Sequence, residues 1–180
     1  MSNLSKDLRV YAGKSILKKL YVWFFGSSFK VLRNYRLAHW FHKKHLSFVA
    51  AFITRRTKRK YNMDIDYRAQ LGGGLRFVHG FGVVIGKDVI TEENVTIYQH
   101  VTLGGNQGKT ATYGDRTIEM PYLCRGATVY GGAFVIGPVV IGENSRVGVN
   151  TVVTKDVPPD SVAINQSSLV IKPLRKTETI

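Results

Sequence analysis

Aliphatic side chains recur every sixth residue through most of this chain. Stepping from Ile65 gives Leu71, Phe77, Val83, Val89, Val95 and Val101; stepping from Leu123 gives Val129, Val135, Ile141, Val147 and Val153. All thirteen positions are aliphatic or phenylalanine. Three residues after most of them stands a corner-former: Gly74, Gly80, Gly86, Gly104, Gly126, Gly132, Pro138, Asn144, Asn150 or Asp156. These types accept or enforce sharp turns; Arg68, Glu92 and Tyr98 are the exceptions. A six-residue unit is too short for a helix and a turn. It fits a short strand, a corner and an inward apolar side chain. Stacked units of this kind wind a parallel β-solenoid whose core is a ladder of the sixth residues. Ordinary short strands joined by glycine turns would show variable spacing, and the spacing here is constant.

The first frame ends at Val101 and the second begins at Leu123, and the gap between them is not a multiple of six. Residues 106–121, NQGKTATYGDRTIEMP, are polar and rich in glycine and threonine. They read as a loop thrown out from the coil, and loops on a regular scaffold are where function tends to sit.

Residues 1–60 differ in character. They hold 15 Lys and Arg and one acid, Asp7, which accounts for the whole net charge of +14. The remainder is neutral. A basic third joined to a neutral remainder is not a uniform nucleic-acid binder, and no nucleic-acid-binding motif is present. Apolar residues interleaved with Lys and Arg predict helices over 14–25, 28–46 and 46–60, with Ser28 as an N-cap. Three domains follow: a basic helical region at 1–62, a solenoid at 63–165 with its inserted loop at 106–121, and a tail at 166–180. The helices suit a cap on the open end of the sheets. They also suit the anionic inner face of a membrane, with Trp23, Phe24, Phe25, Trp40 and Phe41 as apolar anchors. A single cysteine, Cys124, excludes an internal disulfide and a cysteine-based zinc cluster. No apolar run reaches the roughly 20 residues of a spanning helix, and no leader-like segment stands out, so the expected location is cytoplasmic with peripheral contact at the inner membrane face.

The solenoid pattern together with local motifs resembles the serine acetyltransferase branch of the hexapeptide-repeat acyltransferases. The similar stretches are Tyr35-Arg36-Leu37-Ala38-His39-Trp40, Met63-Asp64-Ile65-Asp66, Val78-His79-Gly80-Phe81-Gly82-Val83-Val84-Ile85-Gly86 and Val101-Thr102-Leu103-Gly104-Gly105. Gly114-Asp115-Arg116 and Val152-Val153-Thr154-Lys155-Asp156-Val157-Pro158-Pro159 complete the set. The resemblance implies a mainly β fold, a left-handed parallel β-helix with three hexapeptides per coil. It implies a homotrimer, with acetyl-CoA and acceptor bound between neighbouring subunits and acetyl passed to a hydroxyl.

A thioester is already activated, so what the reaction lacks at neutral pH is a nucleophile. A histidine general base supplies one, and His79 stands at a predicted corner where its ring can reach a groove. Asp64 precedes His79 by the same offset as the family's partner aspartate. In a coil of three hexapeptides that offset is nearly one turn, which would set Asp64 beside His79 to fix its tautomer. Gly105 aligns with a family glycine that contacts CoA, Gly131 and Gly132 leave a smooth wall for pantetheine, and Lys155 suits a CoA phosphate. Backbone N–H groups at Gly104 and Gly105 suit an oxyanion. Arg116 matches the arginine that holds the acceptor. Gln99 and His100 sit at a rung edge, placed to hydrogen-bond a sugar. His39, His42 and His45 lack an accompanying carboxylate or cysteine and read as helix surface or packing, so no metal is expected.

Where the serine enzymes carry a second histidine after Gly-Asp-Arg, this chain has Thr117, and its helical region is short. The expectation from these departures is an acetyl-CoA-dependent O-acetyltransferase of polysaccharide assembly, with a sugar or lipid-linked oligosaccharide acceptor. The alternative is a serine O-acetyltransferase of cysteine synthesis, for which the terminal Thr179-Ile180 speaks. A non-catalytic scaffold on the same solenoid is the third reading.

Overall fold

The computed structural model describes residues 2–166; the 166–180 tail, with Thr179 and Ile180, lies almost wholly outside them. The chain opens with helices α1 (Asn3–Ala12), α2 (Ile16–Phe25), α3 (Ser27–Lys43) and α4 (Ser47–Tyr61). It then winds through three parallel sheets. Face I holds Asp64–Ile65, Val84–Ile85, Thr102–Gly104, Phe134–Ile136 and Val152–Val153. Face II holds Gln70–Leu71, Ile90–Thr91, Tyr122–Leu123 and Val140–Ile141. Face III holds Arg76–Phe77, Thr96–Ile97, Thr128–Val129, Arg146–Val147 and Val162–Ala163. Successive strands pass from face I to II to III and back, the winding of a left-handed parallel β-helix with short N-terminal helices.

All thirteen of the six-spaced residues are buried, along with Met63, Ala69, Leu75, Ile85, Ile97, Leu103, Ala127, Ala133 and Val139. Each fully buried Val, Leu or Ile side chain contributes about 1.5–3 kcal/mol, so this double column dominates the stability of the coil. The column is not the single ladder that the spacing suggests. Ile65 pairs with Ile85, and Ile85 with Leu103, so the first coil is longer than the second by two residues. The two additional residues sit in the corner spanning 78–82. From there Val83, Val89, Val95 and Val101 occupy the corner-side inward position, while Ile85, Thr91, Ile97 and Leu103 take the strand position. Both positions face inward, so the six-residue count runs across the shift unbroken.

The inserted loop also differs from expectation. Ala111–Tyr113 and Arg116–Ile118 pair antiparallel around a two-residue turn, with Gly114 at φ +56°, a place that glycine takes without strain. The hairpin folds back onto the outer side of face II, where Ile118 and Ala111 pack with Ile90, Tyr122, Cys124 and Val140. Its apolar side chains make an outstretched loop unfavourable.

Helix α1 escapes the sequence reading; Ser2 caps it by accepting from the Ser5 N–H. Ser28 is not a cap, since Gly26 fills that role for α3. The Ser28 hydroxyl instead accepts from the Gly80 N–H at 3.0 Å.

The helices close the first coil, which has no coil beneath it. The Tyr35 hydroxyl donates to Ala69 O (2.6 Å) and accepts from Leu71 N (3.2 Å). The Tyr11 hydroxyl does the same with Phe77 O and Phe77 N. Arg36 donates to Leu71 O and Gly72 O, and its Nε donates to Asp7 at 2.9 Å. Asp7, fully buried, also accepts from Leu75 N at 3.0 Å. Burial pushes the Asp7 carboxyl above its ordinary range, against the pull of Arg36 and of the Leu75 and Gly74 N–H groups. Burial likewise pushes the Tyr35 phenol up to about 12, despite the opposing Leu71 N–H, so it remains a neutral donor and acceptor.

Removing one partner of a buried ion pair costs about 3–5 kcal/mol, and the Arg36 side chain is only 11% exposed. Asp7→Ala should therefore lower unfolding stability by that amount in urea titrations. A loss below about 1 kcal/mol would show that the helices do not brace the coil through this pair.

Candidate functional site

The predicted site residues gather at two opposite edges of face I. Where face III turns into face I stand His79, then Gln99 and His100 one coil on, then Gly131 and Gly132 on the next. Where face I turns into face II stand Gly105, the hairpin with Arg116, and Lys155. Four or five residues of strand separate the two edges, roughly 15 Å. Between them the outward row holds the exposed apolar Val84, Phe134 and Val152, together with the half-buried Asp64 and Thr102.

His79 occupies the widened first corner. Phe81 N donates to His79 O (2.8 Å), Gly82 N to Asn62 O (2.8 Å), and Gly80 N to Ser28. Gly82 is at φ +68°, and a Cβ there would stand 2.4 Å from His100 Nδ1, so only glycine fits between Phe81 and the next coil. The His79 ring is exposed and leads a column of rings: 6.5 Å to Tyr98, then 4.9 Å from Tyr98 to Tyr130. The His100 ring lies edge-on to Phe81 at 4.4 Å.

Asp64 stands on face I beside this corner, but it does not hydrogen-bond His79 among the described residues. Its carboxylate pairs with Lys58 from the end of α4. The first coil is two residues longer than three hexapeptides, so the step from Asp64 to His79 falls about a quarter-turn short of stacking the two side chains. Both Lys58 and Asp64 are well exposed, at 57% and 41%, and such pairs contribute about 0–1 kcal/mol. Asp64 can thus leave Lys58 at little cost.

Gly131 is buried, and a Cβ there would meet Gln99 Nε2 at 2.7 Å. Its lack of a side chain answers to packing within the chain as well as to any groove. Gln99 Oε1 is buried without a partner among the described residues. Gly105 is exposed, bounded by the flexible end of Met120 at 3.0 Å. Lys155 is exposed and lines an open cleft of about 350 Å³. Arg116 is exposed and pairs across the hairpin with Tyr113, while the exposed Thr117 pairs with Thr112.

The remaining candidates separate. His39 Nδ1 lies 2.8 Å from Tyr67 O and His42 Nδ1 lies 3.0 Å from Ser47 Oγ. His45, at φ +60°, lies in the bend between α3 and α4. Burial lowers the His39 pKa, against the Tyr67 carbonyl. No three metal-ligating side chains converge among the described residues. Cys124 is buried under the hairpin, its Sγ 3.4 Å from the Tyr113 hydroxyl. Burial pushes the thiol pKa up, which disfavours the thiolate that an acyl-cysteine route would need.

Sequence reasoning missed Ser28, Asn62, Lys58 and Tyr98. A Tyr pair at 98 and 130 around Gln99 and Gly131 was the only local signal; the other three come from a different domain. Lys58→Ala should shift unfolding stability by less than about 1 kcal/mol in thermal or urea melts; a larger loss would make the Lys58–Asp64 pair structural.

No protein-family model matches the chain. It is 36% identical over 141 residues to the serine acetyltransferase of Helicobacter pylori, covering 76% of this chain and 77% of that one. It is 32% identical over 143 residues to that of Salmonella typhimurium, covering 79% and 50%. The chain thus spans about half the length of some curated relatives it matches. The structure of soybean serine acetyltransferase complexed with serine superimposes with a TM-score of 0.78 at 29% identity, covering 94% of this chain and 68% of that one. These relatives overturn the expected polysaccharide reading, with its sugar or lipid-linked acceptor: their acceptor is serine, and the two departures, Thr117 and the short helical region, do not outweigh that. By these likenesses the chain belongs to the serine acetyltransferase family.

Proposed function

We propose that this chain transfers the acetyl group of acetyl-CoA to the hydroxyl of L-serine. The observation that carries the reading is the 36% identity to the Helicobacter pylori serine acetyltransferase, of which this chain covers 77%. In this reading His79 removes the hydroxyl proton as the serine oxygen attacks the thioester carbonyl. The tetrahedral intermediate collapses, the C–S bond breaks, and the proton passes to the departing CoA thiolate. Asp64, released from Lys58, orients the imidazole and offsets its transient charge. The Gly105 N–H would face the oxyanion, while that of Gly104 belongs to the ladder with Phe134–Ile136.

The separation of the two edges supports a site shared between copies. His79, Gln99, His100 and Gly131 on one subunit would face Gly105, Arg116 and Lys155 on its neighbour, in a homotrimer. The apolar outer side of face I, with Phe134 45% and Val152 55% exposed, suits subunit contact. Arg116 would hold the serine carboxylate in a bidentate grip. Lys155 would meet a CoA phosphate, and Gln99 Oε1 would accept an N–H from bound ligand. In this reading acetyl-CoA is the acetyl donor, and the reaction runs in the cytoplasm.

Purified protein given acetyl-CoA and L-serine should release thiol in a serine-dependent manner; no serine dependence overturns the assignment. His79→Ala should lower kcat by about 10²-fold or more with the oligomeric mass unchanged. Equal turnover in that variant would remove His79 from the reaction.

A further inference from the structure

We propose that α2 is a membrane-surface anchor, with its outward apolar side seated in the headgroup layer of an anionic bilayer. Helix α2, ILKKLYVWFF, has no buried residue. Ile16, Leu17, Leu20, Tyr21, Phe24 and Phe25 are all exposed, from 53% at Leu20 to 80% at Leu17. At about 100° per residue these six cover one half of the helix. The half-buried Lys19, Val22 and Trp23 lie on the other half, where Trp23 meets Phe29 at 5.7 Å and Arg33 lies over its ring. The amphipathic order is therefore inverted: the side turned away from the protein is the more apolar one. An exposed apolar face of this kind needs a partner.

Charge selects the partner. The only acid before residue 61, Asp7, is fully buried against Arg36. The helices thus show solvent no carboxylate among the described residues, while Arg9, Lys14, Lys18, Lys43, Lys44, Arg55, Arg56, Arg59 and Lys60 are exposed. A second copy of the same face would bring Lys14 and Lys18 against their equivalents with nothing to offset them. An anionic lipid surface complements both features at once. Ten residues make a helix about 15 Å long, and no described helix is long and apolar enough to cross a bilayer. α2 therefore lies in the interface plane.

The test is flotation of the full chain with vesicles. Vesicles of phosphatidylcholine with about 30% phosphatidylglycerol should carry the protein. Binding should weaken at least tenfold on pure phosphatidylcholine, and likewise at about 0.5 M salt, where screening shortens the field. The variant L17E/F24E should lose binding at least tenfold with an unchanged melting temperature, since both side chains project into solvent. No flotation overturns the proposal, as does flotation that the variant leaves intact. Equal binding to neutral vesicles overturns the anionic assignment. A change of oligomeric mass in L17E/F24E by sedimentation, without wild-type flotation, would assign α2 to self-association instead.

Discussion

A parallel β-helix satisfies each coil's backbone with the coil above and the coil below, so its first coil is the point at which the scheme fails. In this chain the missing coil is replaced by side chains. Tyr35, Tyr11, Arg36 and Asp7 supply the donors and acceptors that a lower rung would have offered to Ala69, Leu71, Gly72, Leu75 and Phe77. An exposed edge of that kind would otherwise be a template for pairing with another chain. Buried tyrosine hydroxyls suit the task because each can donate and accept without carrying charge. Arg36 can sit there only because Asp7 does, and Asp7 only because Arg36 and two backbone N–H groups face it.

This arrangement explains the charge distribution. One carboxylate is needed to brace the cap, and it is used inside. The remaining basic residues of the helices make few bonds to the coil: Lys6 reaches Glu93 and Lys58 reaches Asp64. The charge asymmetry visible in the sequence is thus a property of the helical surface, while the single exception to it is the structural element.

The winding was legible because side-chain volume every sixth residue is a direct physical requirement of a narrow apolar core. The two-residue enlargement at 78–82 was not, because both inward positions of a coil are apolar and the count passes from one to the other. The same blind spot sets Asp64 too near His79, since the spacing implies a coil of three hexapeptides where the chain winds a longer one. The hairpin was hidden for a different reason. Residues 111–118 are mostly polar, and the burial of Ile118 and Ala111 depends on face II, to which they are not adjacent in sequence. His79, Gly105 and Arg116 were nameable from local motifs, but their distribution over two edges of face I follows only from the winding.

The helical region reaches further into the candidate site than a cap requires. The start of α3 holds Gly80 through Ser28, and Asn62, in the left-handed conformation that ends α4, accepts from Gly82. Lys58, one turn earlier, holds the Asp64 carboxylate. Two contacts from the helices, those of Ser28 and Asn62, thus bracket the five-residue corner that presents His79. This corner has two additional residues and two half-buried glycines, Gly80 and Gly82, with no coil beneath it, whereas the later corners of this edge, which lack the enlargement, lean on the coil beneath. The helices supply that support for the first corner, so the elements that close the β-helix also set where its exposed histidine points.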